Sequence, residues 1–212
     1  LLAQLLTSTP NNVVITTNFD TLIEEAIYNT TYKRPLVCSH EAVANYATPK
    51  AERPLIIKIH RDRYMDPMNN ESDTNLMKFE WAEPLNKVFE NFLPIVIGYG
   101  GNDGSLMNYL AGTKKIKRLY WCKRKDSFIA RKTLNVLKNT NGYLVNIHGF
   151  DELMLSIKNI FDLVPTAGFV SDNIQQKNKK IIEQINLLEI RRENQDIEDF
   201  RSQNVAAGDD RG

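Results

Sequence analysis

Val13-Val14-Ile15-Thr16-Thr17-Asn18-Phe19-Asp20 is the stretch whose reading decides the fold of this 212-residue chain. Three apolar β-branched residues in a row are the pattern of a strand buried on both faces, as in a parallel sheet. The polar run then falls at the carboxyl end of that strand, where open α/β sheets bind ligands. Leu22, Ile23, Ala26 and Ile27 keep the spacing of one apolar helical face, so Asp20 is placed as the N-cap of a helix. Asn18 is thereby expected at a strand-to-helix corner, its carboxamide able to orient a polar substrate with two donors and one acceptor. An Asn and an Asp at such a corner equally serve to cap and turn the chain.

The same design recurs downstream. Pro54-Leu55-Ile56-Ile57-Lys58-Ile59 is a second strand and delivers His60 and Arg61 at its end. A histidine there is more often a structural hydrogen-bonding group than a general base, and two polar strand ends at one sheet edge shift the balance toward the second role. Pro94 to Gly98 is a third buried strand, followed by Tyr99-Gly100-Gly101-Asn102-Asp103 and a helix from Ser105. Glycines there allow close backbone approach, and the helix start can meet a phosphate or a ribose hydroxyl; a Gly-rich turn also simply joins strand to helix. Further strands are expected at 35–38, 118–122 and 143–147. Helices are expected at 78–92, with a kink at Pro84, at 127–137, and at 151–163 with Asp151 as cap.

Alternation of strand and helix predicts an α/β fold, a Rossmann-like doubly wound parallel sheet with helices on both faces, over residues 1–165. Residues 166–212 are expected to form a linker, a long amphipathic helix over Asn173 to Phe200, and a frayed tail. The narrow apolar stripe of that helix suits packing on the sheet domain or on another domain or subunit. Leu1 to Thr7 has the pattern of the end of a helix, so the chain is expected to begin within an element.

Composition narrows the function. Apolar residues make up 42% and charged ones 25%, the balance of a globular domain. With 27 basic and 26 acidic residues the formal charge is +1, which argues against a dedicated nucleic-acid domain. Nine basic residues between Lys114 and Lys132 are more simply a solvated rim than a phosphate-binding patch. Cys38 and Cys122 cannot build a disulfide framework or a four-cysteine zinc site, so no metal is expected. No apolar run approaches the roughly 20 residues that span a bilayer, and a cytoplasmic protein is expected.

Thr16-Thr17-Asn18-Phe19-Asp20, Lys58-Ile59-His60-x-Asp62, Ile97-Gly98-Tyr99-Gly100-x-x-Asp103 and Gly149-Phe150-Asp151-Glu152-Leu153-Met154, in this order, resemble the prokaryotic sirtuin-like domains. The resemblance runs from about Leu1 to Leu163. It implies an NAD-binding fold in which Asn18 and His60 are the catalytic pair, supported by Asp20. Thr16, Thr17, Gly98, Tyr99, Gly100 and Asp103 would line the remainder of the dinucleotide site. Thr17 stands where the deacylases of the family usually carry Gln, and their four-cysteine zinc module cannot be built here. The pattern is closer to the sirtuin-like NAD glycohydrolases of bacterial anti-phage defence, of the Thoeris type and its relatives, which implies NAD as substrate and an oligomer or partner subunit. Binding without turnover and deacylation are the alternative activities. The Gly-Ala-Gly-x-Ser phosphate loop of the family has no counterpart before Val13, so an N-terminal portion is expected to be missing. Arg61 replaces the glycine that usually follows the catalytic His, where it would crowd the pocket or pair with a phosphate.

Overall fold

Leu55-Ile56-Ile57-Lys58 (β3) is fully buried and lies at the centre of the first of two parallel sheets. In the computed structural model, residues 1–48, 53–61 and 81–164 are described, together with the pairs 175–176, 179–180 and 182–183. β3 pairs with Val13–Thr16 (β1) on one side and Leu36–Cys38 (β2) on the other. The second sheet has the order Ile95–Val96 (β4), Tyr120–Arg124 (β5), Tyr143–Ile147 (β6), again all parallel. The helices are Leu2–Ser8 (α1), Leu22–Thr31 (α2), Ala82–Asn91 (α3), Gly104–Gly112 (α4), Arg131–Asn139 (α5) and Phe150–Ile160 (α6), with a 3-10 turn at Glu41–Tyr46.

Pleating sends alternate side chains of β3 to opposite faces, and each face meets helices. Ile56 points to a layer formed by Ala3 and Leu6 of α1 and Ile27 of α2, joined by Val14 and Val37 of the flanking strands. Leu55 and Ile57 point the other way, into the main core with Leu85, Val88 and Phe89 of α3, Leu106, Met107 and Leu110 of α4, Leu119 and Trp121, and Val136 of α5. The fold is therefore α/β and Rossmann-like, with helices on both faces of the first sheet. Truncating Ile57 would open a cavity in the shared core and cost about 2–5 kcal/mol.

Several local expectations are adjusted. β1 is half-buried instead of buried on both faces, because only β3 pairs with it among the described residues. β4 is two residues long with Ile95 56% exposed, since among the described residues its ladder joins β5 alone and Gly98 then turns the chain. Pro84 does not kink α3. It sits in the first turn, where the missing N–H has no intrahelical partner to lose. The cap of α6 is Gly149, and Asp151 and Glu152 lie in its first turn, where they complement the helix dipole.

The chain divides into a unit of Leu1–Thr166 and a unit of Ala167–Gly212. In the second unit the three described pairs are helical. The expected long helix over Asn173 to Phe200 lies otherwise outside the described residues, as does Asp62.

Candidate active site

Parallel register brings the two polar strand ends level. Thr16 is opposite Lys58, and the Ile59 amide donates to the Thr16 carbonyl at 3.0 Å. Asn18 and His60 each follow two residues beyond this rung, in the segments that leave the carboxyl ends of the two paired strands.

The corner after β1 is held by short side chains. The Asn18 amide donates to Thr16 Oγ1 at 3.0 Å, a turn that threonine makes easily. The Leu22 amide donates to Asp20 Oδ1 at 3.1 Å. Asp20 thus serves the start of α2 from one position earlier than expected, because Thr21 is the capping residue and bonds Glu25 instead. Asn18 itself is exposed, and its carboxamide has no hydrogen bond among the described residues.

His60 is held by an element over forty residues away. Its Nε2 lies 2.5 Å from Asp103 Oδ2, with the two side chains 11% and 6% exposed. The two atoms are in close polar contact. The other carboxylate oxygen of Asp103 accepts from the Leu106 amide at 3.1 Å and caps α4. One carboxylate therefore spans a helix start and an imidazole. Tyr99 stands beside it, its ring tilted against Trp121 with centroids 5.8 Å apart. Burial, and then the charge of Asp103, push the Tyr99 hydroxyl well above the usual phenol range, so it remains a neutral donor. Gly98 at φ +70° and Gly101 at φ +71° make the turn that carries Tyr99 and Asp103 here. Among the described residues no hydrogen bond joins Thr17 or Gly100 to this cluster.

Arg61 follows His60 with φ +67°. That left-handed conformation costs a non-glycine residue about 1–3 kcal/mol, which explains why glycine is usual at this position in the resembling family. The arginine side chain is engaged by Glu41 of the 3-10 turn: Nε donates to Oε2 at 3.0 Å and Nη2 to Oε1, a bidentate fork. The hydrogen bond from Arg61 holds the Glu41 carboxyl below the usual glutamate range, against the opposing effect of burial.

Sequence reasoning missed Lys58, Glu24 and Glu41. The Lys58 side chain is 1% exposed and its Nζ lies 2.6 Å from Glu24 Oε1. A signal existed, because a lysine inside an apolar strand has to find a partner when the strand is buried. A separate cleft of about 630 Å3, bounded by Leu36, Cys38, Val43, Tyr46 and Arg53, borders β2. It gathers no ionisable pair comparable to His60 and Asp103.

Among the described residues no group of three or more His, Cys, Asp or Glu side chains could hold a metal ion, and no helix is long and apolar enough to cross a membrane. No curated protein matches the chain. The family model for the SIR2-like domain matches residues 12–142, well over half of the chain and all of the cluster just described. With Asn18, His60 and Asp103 inside that match, the chain belongs to the SIR2-like domain family, whose members use NAD as substrate.

Proposed function

We propose that the protein is an NAD glycohydrolase: water adds to the nicotinamide-bearing ribose carbon, the N-glycosidic bond breaks, and nicotinamide, ADP-ribose and a proton are released. The observation that carries this reading is an exposed Asn18 and a His60 held against Asp103, each two residues past the paired Thr16 and Lys58. Nicotinamide leaves from a cationic ring, so the reaction needs orientation of the ribose, a stabilised oxocarbenium-like transition state and a placed water. Asn18 orients ribose and water, and His60 takes the proton from that water or from a ribose hydroxyl. Asp103 fixes the imidazole. Asp20 shapes the corner, while Thr16, Thr17, Gly98, Tyr99 and Gly100 border the dinucleotide. The motif pattern supports a role as the NAD-depleting effector of a bacterial anti-phage system, in the cytoplasm, as an oligomer or with a partner subunit. The stretch Asn173 to Phe200 would supply such a contact.

Arg61 in place of glycine favours a second reading, NAD or ADP-ribose binding without turnover. A fluorescent NAD-analogue assay on the full-length protein separates the two. Turnover without peptide is expected, and Asn18→Ala and His60→Ala are each expected to lower it about 100- to 10,000-fold at matched melting temperature. Binding alone would support the second reading, and turnover only with an acyl-peptide would indicate a deacylase. Wild-type activity in both variants would remove the pair from the chemistry.

A further inference from the structure

Lys58 sits two residues before His60 on β3, and its Nζ donates to the carbonyl oxygen of Asp20 at 2.5 Å, two residues after Asn18. The same ammonium meets Glu24 Oε1 at 2.6 Å, in the first turn of α2. A buried lysine is costly unless its donors are matched, so this arrangement fixes both partners as firmly as it fixes the lysine. The corner from Thr17 to Thr21 has few ties of its own, chiefly the Asn18 amide to Thr16 and the Leu22 amide to Asp20. None of these ties the corner to β3 beyond the last rung of the ladder. We propose that Lys58 is a positioning residue: by clamping the Asp20 carbonyl and Glu24 it sets the separation between Asn18 and His60.

The geometry assigns it no contact with substrate. Its ammonium is enclosed by groups of the chain, and its role passes through the two residues it spaces. Activity as the readout rests on the NAD chemistry proposed above, so the test carries a second readout that does not.

The full-length wild type, Lys58→Met and the double variant Lys58→Met with Glu24→Leu are compared. The single variant leaves a half-buried carboxylate without its lysine and is expected to melt lower. The double variant removes both charges and is expected to recover most of that loss, because replacing a buried pair by apolar groups is often close to neutral. The clamp on the Asp20 carbonyl stays broken in the double variant. Its kcat for NAD is therefore expected to fall about 10- to 100-fold with KM within about threefold, the scale of an ångström misplacement. In parallel, NMR is expected to show shifted Asn18 side-chain amide resonances and faster exchange of the Leu22 amide. A folded double variant with wild-type kcat and unshifted Asn18 resonances would overturn the proposal. If the wild type hydrolyses no NAD, the glycohydrolase reading fails, and the Asn18 resonances alone decide the role of Lys58: shifted and exchanging supports it, unchanged overturns it.

Discussion

Replacing Gly98, Gly101 and Gly112 one at a time by alanine separates backbone strain from steric overlap in the turn that brings Tyr99 and Asp103 to His60. Gly98 has φ +70° and open space around a built Cβ, so Gly98→Ala meets only the left-handed penalty, about 1–2 kcal/mol. Gly101 has φ +71°, and its Cβ would stand 2.9 Å from Thr133 Oγ1 and 3.3 Å from Met107 Cε. Thr133 is buried at the start of α5 and Met107 lies in the core, so neither yields without repacking; overpacking adds about 1–3 kcal/mol. Gly112 ends α4 with ordinary φ and nothing near, so alanine there gains about 0.5–1 kcal/mol of helix propensity. For a unit of this size 1 kcal/mol moves Tm by about 2–4 °C. Expected shifts are falls of about 2–8 °C for Gly98→Ala and about 4–20 °C for Gly101→Ala, and a rise of about 1–4 °C for Gly112→Ala. Differential scanning calorimetry at one pH gives the order directly. A Gly98→Ala protein melting with the wild type, or a Gly101→Ala protein no worse than Gly98→Ala, would refute the left-handed turn or its packing against α5.

Two further outcomes follow from ionisation and burial. Glu41 titrates lower in the native state than in the unfolded chain, so near its unfolded value of about 4.3 the unfolded state binds more protons and stability rises with pH. The contribution of the Arg61 fork is complete above that value and is lost as pH falls through the native one. Melting curves of wild type and Glu41→Gln between pH 6 and pH 3 are expected to converge at the acid end, and parallel curves would exclude the fork as their source. Cys38 and Cys122 are 1% and 7% exposed, and burial raises both thiols above their usual range. A thiol reagent at pH 8 is expected to label neither in the native state and both in denaturant; rapid native labelling of either would show that its strand opens readily.

Much of the fold was legible locally. The β-branched run at Val13, the apolar run at Leu55 and the Tyr143–Ile147 pattern each specify a strand by chemistry carried within a few residues, and the helical spacings between them require parallel crossovers. Where ladders are short, boundaries moved: nothing local in Pro94 to Gly98 says that only Ile95 and Val96 would find a partner strand. Asn18 and His60 could be singled out as polar groups following strand ends, and Asp103 came only through the resemblance, as part of the dinucleotide site.

Their mutual arrangement was decided by tertiary structure. That β3 inserts between β1 and β2, so that Asn18 and His60 follow the ends of adjacent strands, depends on pairings 42 residues apart for Val13 with Leu55 and 19 for Leu36 with Leu55. The choice of Asp103 as the partner of His60, of Glu41 for Arg61, and of Glu24 and the Asp20 carbonyl for Lys58 is likewise non-local. Periodicity records which face of an element is apolar and is silent on which charged groups meet across elements. That is settled only when the core closes, because burial then obliges each charge to take the partner the topology has brought within reach.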